Sequence, residues 1–505
     1  MLQFLCRLFR LKSGTSGPSH HAEADRVYPV HFIDQGGLIR ASIISYTFRF
    51  NDVLDASKLH SSLIKLLEIG DWKKLGGRLR RNENGVLVIH VPEHYDAEHP
   101  AVRYSHKVYD TRIDENPLAS RLPKETSPYA SVQDGCHTFR SFSVPKELPN
   151  NIEHYLTNDE PLICLYVTSF TDATLVSLTF PHSVCDATGT AELLKAWSTV
   201  LEGRIDRVPM LLGARRDVLS TVGVLSDEAA GKPFLLEHRQ IKGFSLLSFI
   251  LRFAWDLLTN RNIRTGTIFL PGSFIRELRQ TAQAQLAVEE QLDAKPFLTD
   301  GDLITAWGSQ IVMSATRRKR PAIICNVFDM RRRLDSVLVP GGIYVQNLIL
   351  PASVLLSAGE MASSSLGQIA LKLRQAIVEQ ATDTQARRLM RVIRSSIASS
   401  GLMPLFGDAA ARVIACTNWS KARLQESANF FPAVAGDRRT GDSTTPPGSC
   451  VSYWGTTLGT SDNPRDTFII YGRNQKDGYW LHAYLRPEAW DMIEAQFTRY
   501  RLADT

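Results

Sequence analysis

Leu175-Val176-Ser177-Leu178-Thr179-Phe180 runs directly into Pro181-His182-Ser183-Val184-Cys185-Asp186-Ala187, and the reading of this junction decides the fold. The first six residues are apolar or small on both alternating faces, the pattern of a central strand covered on both sides. In the stretch that follows, Ala191, Leu194 and Trp197 recur at helical spacing. A buried strand turning sharply into a helix predicts α/β architecture. It also places His182 and Asp186 on the turn, where a rigid scaffold presents side chains to a ligand.

An imidazole held at a strand end can take a proton from an alcohol or amine near neutral pH. The carboxylate four positions on is poorly placed to share that proton, so Asp186 is expected to pair with a distant cation and fix the local backbone. One base and one structural acid describe acyl transfer better than a hydrolytic triad. H-x-x-x-D alone recurs by chance, and its weight here comes from the strand-to-helix context.

Outward from the junction the chain alternates strand-like and helix-like stretches. Ala41 to Phe50 reads as a strand, and Leu54-Asp55 opens a helix through Leu59, Leu63, Leu66 and Leu67. Gly76-Gly77-Arg78-Leu79 turns the chain before a strand at 86–90. Residues 95–160, rich in Pro, Asp, Glu and Ser, read as surface loops that return to a strand at 162–167. That strand forms a hairpin with the strand before His182, across Thr171-Asp172-Ala173. The irregular stretch 203–243 is the candidate linker. Beyond it Thr267 to Leu270 is a strand, and a long helix from Ser273 contains Leu278 and Leu286. Thr299-Asp300-Gly301-Asp302 has the form of a capping box for a helix carrying Leu303, Ala306 and Trp307. No internal repeat is visible. With 505 residues the chain is too long for one core. The expected division is 1–215, which carries the motif, 216–265 as linker and interdomain helix, and 266–505 as a second domain.

A composition of 44% hydrophobic and 22% charged residues is that of a soluble globular protein. The net charge of +6 is modest, and no basic stripe interleaved with aromatics and no helix-turn-helix signature points to nucleic acid. The seven cysteines, Cys6, Cys136, Cys164, Cys185, Cys325, Cys416 and Cys450, are scattered and lack C-x-x-C spacing. They read as reduced thiols of a cytoplasmic protein, with no disulfide framework and no metal site. Met1 to Lys12 is apolar and basic but broken by Arg7 and too short to span a bilayer. It is expected to be a frayed or packed extension, with weak membrane-surface or organelle targeting as the alternative. Phe244 to Leu258 is a second apolar segment, flanked by Lys242 and Arg261 and carrying Arg252 and Asp256. It reads as a core or interdomain helix, so no stable membrane insertion is expected.

Further blocks stand in order around the motif: His31-Phe32-Ile33-Asp34-Gln35 with Trp72-Lys73-Lys74-Leu75-Gly76-Gly77-Arg78-Leu79, then Asn326-Val327-Phe328-Asp329-Met330-Arg331-Arg332-Arg333-Leu334, then Gly342-Ile343-Tyr344-Val345-Gln346-Asn347. Together with His182 to Asp186 they resemble the BAHD-like, or HxxxD, acyltransferases of the chloramphenicol-acetyltransferase-like superfamily, particularly the fungal secondary-metabolite branch. The resemblance runs from about Val30 to Trp490. It implies a two-domain α/β fold with mixed sheets and an interdomain tunnel. Acyl-CoA enters as co-substrate from one face and a small acceptor from the other, with no permanently bound cofactor, in a monomer.

In that frame His182 is the general base for a hydroxyl or amine, and Asp186 pairs with Arg331. The alternative for Arg331 is a solvated basic cluster with Arg332 and Arg333. Asn347 and the stretch Thr417-Asn418-Trp419-Ser420, similar to the family's S-S-W stretch, are candidates for oxyanion support. Tyr344 and Trp419 read equally as core aromatics, Trp419 more so, and Cys185 as a buried bystander. Where plant members carry D-F-G-W-G this chain has Asn429-Phe430-Phe431-Pro432-Ala433. That departure leaves open a structural variation, a changed donor or lost transfer. The alternatives are a carrier-protein-dependent condensation-like enzyme, disfavoured by Pro181 where such domains carry a second histidine, and a non-catalytic binding protein retaining the fold.

Overall fold

The computed structural model describes residues 26–224, 232–289, 296–316, 319–436, 445–458, 464–474 and 476–503. The expectations for Met1 to Lys12 and for Cys6 fall outside them. Strands are numbered along the chain. A five-stranded sheet has the order β13 (Cys450–Leu458), β2 (Ile43–Phe50), β8 (Thr174–Pro181), β7 (Ile163–Ser169), β5 (Val102–Val108). Its pairings are antiparallel except β7 with β5, which is parallel.

Every residue of β7 and β8 is buried, as the two-sided apolar pattern requires. The β7–β8 hairpin pairs Cys164 with Thr179 through Ser169 with Thr174. One side of the sheet is covered by helices Ala56–Leu67 and Ala187–Leu201, whose Leu59, Leu63, Leu194 and Trp197 share one core. The small polar residues of the central strands form a buried hydroxyl ladder. Thr179 Oγ1 donates to Ser45 Oγ at 2.9 Å, Ser177 Oγ to Thr47 Oγ1 at 2.9 Å, and Ser45 Oγ to the Ser143 carbonyl at 3.0 Å. Each hydroxyl of this ladder thus has a partner, which removes the cost of placing these polar groups in covered strands.

The second sheet has seven strands in the order β11 (Ile349–Leu356), β10 (Ala322–Asp329), β12 (Arg412–Asn418), β14 (Thr467–Arg473), β15 (Tyr479–Leu485), β9 (Arg264–Leu270), β6 (Ser131–Asp134). Strands β10, β12 and β14 are mutually parallel and the remaining pairings antiparallel. Helices Gly272–Glu289, Asp300–Ser314, Leu366–Gln380 and Pro487–Ala503 build a separate core against it. The expected capping box is present: Asp302 N donates to Thr299 Oγ1, and Thr299 N to Asp302 Oδ2 at 2.8 Å. A small sheet, β1 (Arg26–Pro29), β4 (Leu87–Val91), β3 (Arg78–Arg81), flanks the first half.

The halves exchange strands. β13 comes from beyond residue 266 yet pairs with β2, and β6 comes from before residue 215 yet closes the far edge of the seven-stranded sheet. Residues 95–160, read as loops, supply both β5 and β6. The helix Gly243–Thr259 also differs from expectation: none of its residues is fully buried. Leu246 and Phe249 rest against Ile323 and Ala411 on the sheet, while a second apolar stripe faces outward. Its sequence is apolar around most of its circumference, so hydropathy alone reads it as enclosed.

Candidate active site

Pro181 ends β8 and has no amide to extend the ladder. The next amide, His182 N, donates instead to the Ser42 carbonyl at 2.8 Å, and Val184 N closes a turn onto the Pro181 carbonyl at 2.9 Å. His182 is partly exposed on this turn and lines a cavity of about 1330 Å³ between the two sheets. Walls come from both halves, including Tyr46 on β2, Thr456 on β13, Asn326 on β10 and Thr417 on β12. The imidazole therefore stands where a substrate held by either half can reach it.

Asp186 caps the helix Ala187–Leu201, its Oδ1 accepting from Gly189 N at 2.8 Å. Arg331 clamps the same carboxylate from both sides, Nη1 to Oδ2 and Nη2 to Oδ1, each at 3.0 Å. Leu348 N donates to Oδ2 at 3.0 Å. The carboxylate thus accepts four hydrogen bonds, its full capacity. Arg331 is satisfied just as completely, since Nε donates to the Tyr344 carbonyl at 2.9 Å, Nη2 to the Gln346 carbonyl at 2.7 Å and Nη1 to Asp329 Oδ1 at 3.1 Å. Burial alone would lower the guanidinium pKa, but Asp186 and Asp329 outweigh it and hold Arg331 above its ordinary value. The solvated-cluster alternative for Arg331 does not match this arrangement. Arg332 is the exposed neighbour.

The segment after Arg331 reaches the motif too. Asn347 is fully buried, and its Nδ2 donates to the His182 carbonyl at 2.7 Å and to Asp34 Oδ1 at 2.6 Å. Both amide hydrogens are thereby engaged away from the cavity. Asn347 holds the backbone of His182, and in this arrangement it has no hydrogen left for an oxyanion. Asp34 belongs to the His31 to Gln35 block. Burial pushes its carboxyl pKa up and that of the nearby Lys74 ammonium down, the two opposite charges partly offsetting both shifts. Burial likewise lowers His31 to about 3, so His31 is neutral.

Thr417, Asn418, Trp419 and Ser420 line the cavity. Trp419 Nε1 donates to Thr417 Oγ1 at 3.2 Å, which leaves the Thr417 hydroxyl hydrogen available as a donor. Trp419 is half-buried and packs between Tyr46 and Tyr471, its ring tilted to both, with centroids at 5.3 and 5.4 Å. It is a wall residue as well as a packing one. Tyr344 is buried, its hydroxyl accepting from Val339 N at 3.0 Å. Cys185 is buried 3.5 Å from Thr190 Oγ1, and burial pushes its thiol pKa far up, which disarms it as a nucleophile.

Comparison with known proteins gives this geometry a family. A model described as Transferase family matches residues 146–427, more than half of the chain. The chain belongs to this BAHD-type Transferase family. It is 50% identical to "Acetyltransferase BOT5" of Botryotinia fuckeliana over 94% of this chain and 91% of that protein. With "O-acetyltransferase PaAT-2" of Phomopsis amygdali the identity is 33%, over 94% and 98%. Among solved structures it resembles that of F. sporotrichioides TRI101 complexed with coenzyme A and T-2, at a TM-score of 0.64 and 14% identity over 94% of this chain and 98% of that one. The fold is therefore the two-domain acyltransferase fold, and the protein is an acyltransferase.

In this transferase the segment that replaces D-F-G packs away from the cavity. Phe430 is fully buried, 4.5 Å from the Trp197 ring and 5.2 Å from Phe50, and no residue of 429–433 lines the cavity. The turn it needs comes from Gly448 at φ +70, where a Cβ would lie 2.2 Å from Phe431 N. The fold also gathers Cys136, His137 and His482, whose donor atoms lie within 4.8 Å of one another beside the cavity. No local spacing announces this group. Burial raises the Cys136 thiol to about 12, and its sulfur shares a hydrogen bond with His482 Nε2 at 3.4 Å.

Proposed function

We propose that this transferase moves an acyl group, acetyl in the first instance, from acyl-CoA to a hydroxyl of a small secondary metabolite, with His182 as general base. The observation that carries the proposal is an imidazole on the wall of a large two-sided cavity, its turn held by the Asp186–Arg331 clamp and the Asn347 hydrogen bond. His182 takes the hydroxyl proton as the oxygen bonds to the thioester carbon. The resulting oxyanion needs a donor, and the Thr417 hydroxyl is our candidate. The C–S bond then breaks, and the departing thiolate takes the proton from the imidazolium, returning His182 to its neutral form. Base catalysis of this kind contributes about 10²–10⁴-fold.

Exposed cations that line the cavity, Arg332, Lys421 and Arg423 among them, support the phosphates of coenzyme A as the anionic end of the donor. The names of the two relatives support acetyl as the acyl group and oxygen as the acceptor atom. The same proposal has the enzyme act as a monomer in the cytosol, where the six described cysteines, all free, remain reduced. Purified protein is incubated with acetyl-CoA and a panel of hydroxylated metabolites while free thiol is followed, alongside His182→Ala. Acceptor-dependent release by the wild type, lost in the variant, is expected. Equal background release by both across donors and acceptors refutes the assignment.

A further inference from the structure

The helix Gly243–Thr259 lies far from the catalytic turn in sequence and contributes nothing to the cavity wall. Its inner side, through Leu246 and Phe249, sits on Ile323 and Ala411. A second stripe, Phe244, Leu247, Leu251, Trp255 and Leu258, repeats at intervals of three and four residues and lies on the opposite side. These side chains are 92, 51, 61, 69 and 38% exposed. A run of large apolar groups in water is unfavourable, and an exposed contiguous patch marks a contact surface.

We propose that this stripe docks on an anionic lipid surface. Cations bracket it: Lys242 precedes the helix, Arg261 and Arg264 follow it, and Arg252 lies along its polar edge, all four exposed. The helix has one acidic residue, Asp256, and that carboxylate is turned to Arg465 at 2.9 Å and to Arg486 at 2.7 Å. The outward charge is therefore positive, complementary to acidic headgroups. Leu, Phe and Trp on one face with Arg and Lys around it is the composition of a helix lying in the headgroup region. The stripe is one helix wide and offers on the order of 600 Å², short of the roughly 800 Å² per partner of a stable protein interface. Among the described residues no helix is long and apolar enough to cross a membrane, so the contact is peripheral.

The test uses the full chain, sedimented with vesicles of phosphatidylcholine alone or with about 30% phosphatidylserine. One variant combines Phe244→Ser, Leu251→Ser and Trp255→Ser, and a second combines Phe4→Ser and Leu8→Ser in the apolar N-terminal segment. Wild type is expected to bind the anionic vesicles more than the neutral ones. The helix variant loses at least about tenfold in partitioning with an unchanged thermal midpoint and circular dichroism, and the N-terminal variant keeps its binding. Absence of wild-type binding overturns the proposal, as does undiminished binding by the folded helix variant. So does a dimer in sedimentation velocity that the helix variant abolishes and vesicles do not compete away, since the stripe is then an interface between two copies.

Discussion

Replacing Arg331 by methionine removes five hydrogen bonds and one charge from a place with little access to water. Asp186, 3% exposed, keeps only the amides of Gly189 and Leu348, half of its present partners. The Tyr344 and Gln346 carbonyls and Asp329 lose a donor at the same time. Breaking a buried pair from one side costs about 3–5 kcal/mol, because the surviving charge stays behind uncompensated. That is a fall of roughly 10²- to 10⁴-fold in the folded-to-unfolded ratio. Asp186→Leu leaves Arg331 with Asp329 and the Tyr344 and Gln346 carbonyls, and is expected to cost less, about 1–3 kcal/mol. The double variant Asp186→Leu/Arg331→Met is expected to recover about 1–3 kcal/mol of the summed loss, because no lone charge remains. Urea unfolding of the four proteins measures the cycle. Turnover falls in every clamp variant, since the turn bearing His182 loosens, whereas His182→Ala loses turnover with its unfolding midpoint intact. Single variants within about 1 kcal/mol of wild type, or a double variant whose cost equals the sum, refute the clamp.

Gly189→Ala places a Cβ 1.9 Å from the Val345 carbonyl oxygen and 2.9 Å from Cys185 Cβ. It should push the motif helix from the 342–347 segment and cost about 3 kcal/mol or more in unfolding free energy along with most of the turnover. Asn347→Ala removes the donor to both the His182 carbonyl and Asp34 and should lower kcat at least about tenfold with little change in KM, as expected when hydrogen bonds of about 1–3 kcal/mol position His182. Cys185→Ala should keep turnover within about threefold, and a loss beyond about 10²-fold would reinstate the thiol as a participant. The buried imidazoles His31 and His482 are both lowered to about 3 from an ordinary value near 6.5, so the folded state holds them neutral. Their contribution is complete above pH 6.5 and is lost as the pH falls below it, at about 1.4 kcal/mol per unit each, together about 4 kcal/mol at pH 5. Urea midpoints at pH 7.5 and 5 measure this, and a flat profile contradicts it.

The turn that bears His182 was legible because its signals are local. A two-sided apolar strand and helical apolar spacing both lie within 175–197, and the structure assembles them as read, adding the stop at Pro181 and the helix cap at Asp186. The Thr299 capping box was legible for the same reason. Pairings between distant segments were not. Nothing within Cys450–Leu458 says that its partner is Ile43–Phe50, and nothing in Ser131–Asp134 announces the far edge of the other sheet. Asn347 was visible as a motif residue, but which atoms its amide meets depends on a loop 165 residues away. The helix Gly243–Thr259 shows the reverse failure. Its apolar content was obvious, yet hydropathy cannot distinguish a side that meets protein from one that meets solvent.

The strand exchange also sets a timetable for synthesis. β2 emerges first, and the strand that covers its outer edge, β13, follows about four hundred residues later. At roughly 5–20 residues per second, the nascent chain carries an open sheet edge for about 20–80 s. An uncovered edge is a template for other strands, so that interval is when chains of this kind are most exposed to mispairing with their neighbours on a polysome. Chimeras that join halves of two relatives pass through the same interval with a β13 matched to the wrong partner.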